Sequence, residues 1–395
     1  MRFRSKAGMF LVSVVLILIS ILRISTLSIG SAAIIHQPQQ SGYYDYEGAI
    51  HFHTNYTGDA TGSYEEIAGI ANRQHVDFMI ATEHNNLLAL YEHKEGWYGK
   101  ALFLSGSEIT RPEGYLLGLN LRRFPIARSA STDKVLSEIA AQGGMAIIAH
   151  PESPRWRWKM KYDPRIIGQE ILDLTDQLNT ASPLAISAGA LFYFINRAAA
   201  FMQLYHYPAE TIRKWDSETR RHNFVGIFAP DFHQELRLFG YPLFALPRAE
   251  DMLPNAHDHI VTAAPFTHDF RHDKSLLYDA IGKGHLYVSI DLLQDASGFF
   301  FSARQGGKVA WMGDQLHAET KTDFLVTLPS TVALNNVSIH VLHNGVEIGR
   351  STSPAYRFQA DQAGAYRVEV EAEIPTFWGW GRSVTWIYSN PIYLR

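Results

Sequence analysis

The sequence predicts an α/β barrel with a parallel sheet, preceded by an apolar helix and followed by a small β-sandwich. Three observations carry this prediction. From Tyr43 to about Val288, short apolar runs alternate with amphipathic helical patterns, as βαβ units require. Five of those runs end on His, Asp or Glu; in a βα barrel the C-terminal strand ends share one rim, where the active site sits. From about Asp291 the pattern changes to short alternating or β-rich segments with turn signals between them.

At the N-terminus, Arg2, Arg4 and Lys6 precede the apolar run Met9–Leu22, which only Ser13 and Ser20 interrupt. A basic start and an apolar run form an export signature. The run is shorter than the ~20 residues of a full span, which favours a signal peptide. The small residues Ser31-Ala32-Ala33 lie well beyond it, so an uncleaved anchor stays open. Residues 1–35 are therefore expected to act as signal peptide or membrane anchor. The chain after them would be exported, periplasmic or extracytoplasmic, with membrane contact only through this segment.

Residues 43–290 form the expected barrel. The run Gly48–Ala49–Ile50 leads into His51-Phe52-His53-Thr54. On a strand, residues i and i+2 share a face, so His51 and His53 can reach one cation. With 18 His in 395 residues, chance alone supplies roughly 0.8 His-x-His triplets. A second triplet, His257-Asp258-His259, has no strand-like run leading into it. What distinguishes the first is its repetition downstream. Asp77–Thr82 runs into Glu83 and His84, and Ala101–Leu104 runs through a glycine into Glu108. Met145–Ala149 ends on His150, and Phe224–Ala229 gives way to Asp231 and His233. Apolar strands of this kind suit a sheet buried on both faces. Five strand ends with ligand residue types on one rim amount to a multi-metal site.

Helices are expected at Tyr64–Ala71 and Thr132–Gln142, the second stopped by Gly143-Gly144. Residues 151–222 read as a helical insertion. It opens with a basic-aromatic patch (Trp156, Trp158, Lys159, Lys161) and contains the apolar stretch Ala181–Leu204, read as a buried or lid-forming helix pair. A membrane span there would separate His150 from Asp231 and destroy the site. In residues 291–395, Asn344-Gly345 between two β-rich runs is a hairpin signal, and the strand spacing suggests a small immunoglobulin-like sandwich.

Composition narrows the chemistry. The balance of 35 basic and 39 acidic residues gives a net charge of −4 with no basic block, so nucleic acid is not an expected partner. There is no cysteine, so any metal is held by nitrogen and oxygen, which suits Zn, Mn, Fe or Mg. No G-x-S-x-G motif offers a competing serine nucleophile. Two cations a few ångströms apart need a bridging carboxylate to offset their repulsion. Glu108 is the acid at a strand end without a histidine neighbour. Glu83 is a candidate general base or orienting group, and Arg111 a candidate clamp for phosphate or carboxylate.

The ordered motifs His51-x-His53, Asp59, Thr82-Glu83-His84-Asn85, Gly106-x-Glu108, Ala149-His150-Pro151 and Asp231-x-His233 resemble those of the PHP (polymerase and histidinol phosphatase) superfamily. The β-rich tail, ending Trp386-Ile-Tyr-Ser-Asn-Pro-Ile-Tyr393, is similar to that of the CehA/McbA-type metallohydrolase branch. The resemblance implies a distorted (β/α)7-type barrel holding two or three divalent metals (Zn, Mn or Fe). His51, His53, Glu108 and Asp231 would form one centre, Glu108 and His150 a second, and Asp59, His84 and His233 a third. It also implies hydrolysis of a small-molecule ester by water activated between the metals, with phosphoesters leading. Carboxylic or carbamic ester hydrolysis is the alternative, and a non-catalytic metal-stabilised binding module a third reading. Tyr115 falls where many relatives have a further histidine. The second centre is therefore expected to bind metal weakly, or Tyr115 to donate a hydrogen bond to a substrate oxyanion.

Overall fold

The computed structural model describes residues 2–27, 29, 42–125, 130–160, 163–238, 241–244, 247–376 and 380–395. The Ser31-Ala32-Ala33 segment and Lys161 of the basic-aromatic patch lie outside them. The chain opens with helix α1 (Arg2–Ser25). Among the described residues, no helix is long and apolar enough to cross a membrane.

The barrel follows. Strand β1 (Tyr44–Ile50) leads to helix α2 (Tyr64–Arg73), whose start is fixed by Ser63 accepting from the Glu66 amide. Strand β2 (Phe78–His84), helix α3 (Leu88–Tyr91) and strands β3 (Gly96–Tyr98), β4 (Ala101–Arg111) and β5 (Gly114–Leu119) come next. Helix α4 (Thr132–Ala141), capped by Ser131, feeds β6 (Met145–Ala149). Strand β7 (Ile166–Asp173) and helices α5 (Leu174–Thr180), α6 (Pro183–Tyr193), α7 (Arg197–Leu204) and α8 (Ala209–Thr219) precede β8 (Val225–Ala229). Then come the hairpin β9 (Leu236–Leu238) and β10 (Tyr241–Phe244), helix α9 (Ala249–Met252), β11 (His257–Thr262), α10 (Phe270–Lys283) and β12 (Leu286–Ser289).

The barrel strands lie in the order β12-β11-β1-β2-β4-β5-β6-β7-β8. Pairs β1–β2, β2–β4, β6–β7 and β7–β8 are parallel, as the alternation predicts. The sheet is nevertheless mixed. Strand β5 runs antiparallel to both neighbours, and β11 runs antiparallel to β1 and β12. The cause for β5 is local: Pro112, Glu113 and a Gly114 with φ of 138° turn the chain straight back after β4, leaving no length for a crossover helix. Past the strand ends, the Asp231 amide donates to His51 O at 2.9 Å and the His53 amide to Phe232 O at 3.1 Å, tying the end of β8 to the end of β1. The segment between His150 and Asp231 is only partly helical, since β7 lies within it and takes its place between β6 and β8.

Strand alternation builds two layers. Ile50, Ile80, Leu104, Leu117, Ile147 and Ile227 share one buried cluster, to which Leu277 and Ile281 of α10 also belong. The other face of β1 and β2 places Ala49, Met79 and Ala81 against Ile67 and Ala71 of α2.

After β12 the chain forms two further sheet regions. Strands β13 (Phe300–Gln305), β14 (Lys308–Trp311), β16 (Thr322–Thr327) and β19 (Ala355–Ala360) make a separate four-stranded sheet, and β15 (Gln315–Leu316) lies elsewhere. Strands β17 (Asn335–His343), β18 (Val346–Ser351), β20 (Gly364–Pro375), β21 (Gly381–Ser389) and β22 (Ile392–Leu394) join the barrel sheet through the β12–β21 pairing. Phe324 of one sheet meets Tyr366 of the other with ring centroids 4.9 Å apart, inside a shared apolar core. Asn344-Gly345 forms the β17–β18 turn as predicted, both residues at positive φ. Between the barrel and this β region, Arg367 donates to Asp216 of α8 through Nε (2.6 Å) and Nη2 (2.9 Å), a buried two-pronged contact.

Candidate metal centre

All the ligand candidates but Asp59 lie in the last residues of a strand or just after it, and Asp59 lies in the loop between β1 and α2. Three of them, His51, His150 and Asp231, have positive φ values of 74°, 52° and 40°. That conformation is uncommon for residues with a Cβ, and such strain concentrates at functional sites. Here it turns each side chain off its strand's line, and neighbouring backbone holds it there. The His51 amide donates to Ile80 O at 3.2 Å, and the Asn85 amide donates to Glu108 O at 2.8 Å.

The side chains meet at one point. His51 Nε2 lies 3.6 Å from Glu108 Oε2 and 3.5 Å from Asp231 Oδ1. His53 Nε2 lies 3.4 Å and 3.2 Å from the same two oxygens. All four atoms are buried and none has a hydrogen-bond partner. Ligand atoms about 2.0–2.2 Å from a tetrahedral cation stand about 3.3–3.6 Å apart, so this group fits a divalent metal. A polar atom buried without a partner costs on the order of 1–3 kcal/mol, and four at one point call for a shared ligand.

Two further groups adjoin it. Glu108 Oε1 is 3.1 Å from His150 Nε2, which lies 3.8 Å from Asp231 Oδ2. His84 Nε2 is 3.3 Å from both Asp59 Oδ2 and His233 Nε2, while its Nδ1 is 2.7 Å from Glu108 Oε2. Glu108 thus touches all three groups, where a bridging carboxylate belongs. All eight predicted ligands come together.

The electrostatics follow. Burial alone would raise the Glu108 carboxyl, but the adjacent imidazoles of His150, His51 and His84 hold it well below the usual carboxylate range. The same contest leaves Asp231 low, with His51 and His53 opposing burial. Burial and then the nearby His233 push the His53 imidazole down to about 3, so it is a neutral donor. His84 is pushed up to about 10 against its burial by hydrogen bonds to Asp59 and Glu108.

The other predicted residues take different positions. Glu83 lies beside His84 on β2 but points away, as strand alternation demands. It accepts from Thr54 Oγ1 (2.5 Å) and the Thr54 amide (3.3 Å), anchoring the loop after His53. Burial pushes its carboxyl up to about 7, with the Thr54 contacts opposing. Tyr115 packs edge-on against His150, ring centroids 5.8 Å apart. Arg111 donates to Thr132 Oγ1 at 3.4 Å and to Ala130 O, at the start of α4.

Sequence reasoning missed a group of buried acids. Glu170 of β7 accepts from His51 Nδ1 (2.6 Å) and from the His150 amide (2.7 Å), so one carboxylate orients two ligand candidates. Asp173 Oδ2 lies 2.8 Å and Asp176 Oδ1 3.5 Å from His150 Nδ1. The available signal was Glu170 inside the run Ile166–Leu172, an acid where a buried strand should be apolar.

Beside the centre lies a cavity of about 590 Å³. Asp59, Asp231 and His233 line one side, and Leu178, Phe194 and Phe201 are among the apolar residues lining the rest. No lysine or arginine contributes among the described residues. The α6–α7 helix pair thus walls a pocket that opens on the ligands.

No protein-family model matches the chain. An uncharacterized protein of Methanocaldococcus jannaschii is 31% identical over 117 residues, 27% of this chain and 67% of that protein. Among solved structures, a two-domain protein from Bacteroides vulgatus containing a predicted PHP-like metal-dependent phosphoesterase aligns at a TM-score of 0.41. Its identity is 13%, over 91% of this chain and all of that one. An amidohydrolase from Chromobacterium violaceum aligns at 0.29 with 13% identity, over 47% of this chain and 87% of that one. The chain belongs to the family of this uncharacterized archaeal protein, and the ligand candidates read from its sequence meet at one point in the fold.

Proposed function

We propose that this chain is a metal-dependent hydrolase of small-molecule esters, with phosphoesters the leading class. The observation that carries the reading is the convergence of four buried, unpartnered ligand atoms from His51, His53, Glu108 and Asp231. Those residues would hold one cation, Glu108 and His150 a second, and Asp59, His84 and His233 a third. Bound Zn, Mn or Fe supplies Lewis-acid polarisation of the ester and a water that ionises near neutral pH. The protein's part is positional. Glu170 and Asp173 orient His51 and His150, and Glu83 fixes the loop through Thr54. The apolar cavity binds the substrate's organic group away from water.

That cavity also favours a second reading. Among the described residues its lining holds no lysine or arginine to pair with a phosphate, which suits a carboxylic or carbamic ester with an apolar substituent. Aryl phosphates, phosphodiesters and aryl carboxylates assayed with Mn and Zn separate the two. Turnover of none of them, alongside full metal loading, leaves the binding-module reading. Glu108→Ala should lose more than tenfold in rate, over ~1.4 kcal/mol of barrier. Retention of more than a tenth would remove its bridging role.

Export belongs to the same proposal. The basic start of the chain and the solvent-facing Val12, Leu16, Ile17 and Leu22 of α1 support membrane contact there. A compartment-specific reporter fused after Ala60 tests it. The CehA/McbA-type affiliation and an immunoglobulin-like topology for the two-sheet β region are part of the reading too.

A further inference from the structure

The second His-x-His triplet, set aside for want of a strand leading into it, opens strand β11. There His257 and His259 share a face, as i and i+2 must. Register places His259 opposite Glu47 of β1. This is the outer face of the barrel wall: Ile50 and Ile260, of opposite parity, belong to the cluster that lines the inside. The connection leaving β12 crosses over this face and brings Asp291 and Asp295 to it.

We infer that Glu47, His257, His259, Asp291 and Asp295 form a second divalent-cation site, separate from the rim and structural in role. Both imidazoles converge on one oxygen. His257 Nδ1 is 2.7 Å and His259 Nε2 3.1 Å from Asp291 Oδ2. Ligand atoms of Glu47, His257 and Asp291 lie within 4.8 Å of one another, as do those of Glu47, His259 and Asp295. His259 is fully buried, and His257 and Glu47 are each 5% exposed. His257 Nε2 and Asp295 Oδ2 are buried without a hydrogen-bond partner. The supports of such a site are in place as well. His259 Nδ1 lies 3.1 Å from Asp45 Oδ1, and Ser289 Oγ donates to Asp291 Oδ1 at 2.6 Å.

Charge gives the same answer. Three carboxylates among the proposed ligands, with Asp45 beside them, outnumber two imidazoles in a buried space, and such an excess calls for a cation. The donor set of two imidazole nitrogens with carboxylate oxygens suits Zn, Mn or Fe(II). The cation would pin the β1–β11 wall to the connection that leads into the β region.

The test uses the full chain carrying His53→Ala and Glu108→Gln, which disable the rim. After loading with Zn or Mn and desalting, elemental analysis should find one cation per chain. Adding His257→Gln and Asp291→Asn should remove it and lower the thermal midpoint. No retained cation, or a retained cation that survives the added substitutions, overturns the inference. Should the fourfold variant fail to fold, anomalous diffraction from metal-loaded wild-type crystals decides: a peak beside Asp291 and His259 is expected, and its absence overturns the site. Each site can fail without the other, since occupancy here requires none at the rim.

Discussion

Glu170 offers the sharpest test of how the centre is built. It accepts hydrogen bonds from His51 Nδ1 (2.6 Å) and from the His150 amide (2.7 Å) through separate oxygens. Glu170→Gln keeps the shape but leaves one oxygen for two donors and turns an NH2 toward the other. One hydrogen bond to a charged group, worth about 1.5–3 kcal/mol, is lost. Ligand orientation carries that loss into metal affinity, roughly ten- to a hundred-fold, the range found when outer partners of ligating histidines are removed. Titration with Zn or Mn against a competing chelator reads the affinity, and far-UV circular dichroism verifies the fold. An affinity within twofold of wild type in a folded variant would refute the reasoning. Glu170 would then be a buried acid without influence on His51.

Three further predictions rest on separate contacts. Tyr115→His, beside His150, should strengthen the weakest metal site in a titration; unchanged affinity, together with full activity of Tyr115→Phe, would make Tyr115 an ordinary strand residue. Arg111→Ala should leave KM within about twofold, because Arg111 donates to Thr132 and Ala130 at the start of α4; a rise beyond tenfold, about 1.4 kcal/mol, would restore the substrate clamp. Arg367→Ala strips the buried Asp216 of its two-pronged partner and should cost about 3–5 kcal/mol in denaturant unfolding; a loss under 1 kcal/mol would mean that water replaces the guanidinium.

The candidate ligand set was legible because it is written locally. Each member follows an apolar run, and the ends of parallel strands share a rim whatever the loops do. That logic brought His51, His53, His84, Glu108, His150, Asp231 and His233 to one place, with Asp59 added by the resemblance. It needed only the strands' apolarity and the residue after each.

The rest depended on distance through space. Whether Glu83 or His84 faces the centre is set by strand parity, which the adjacent pair conceals until β2 is paired with β4. Glu170 matters only because β7 packs between β6 and β8, and nothing local in an acid within a strand says which imidazole it meets. Arg111 and Tyr115 flank the antiparallel turn from β4 to β5, whose direction decided where both side chains went. His257 and His259 were discounted because the apolar part of their strand follows them instead of leading in. Their partners sit on β1 and past β12, brought together only when the sheet closes its register. Sequence determines which residues can be ligands, because apolar runs and polar ends are short-range patterns. Tertiary structure decides which of them share a cation, because ligation requires atoms a few ångströms apart, and only packing sets that distance.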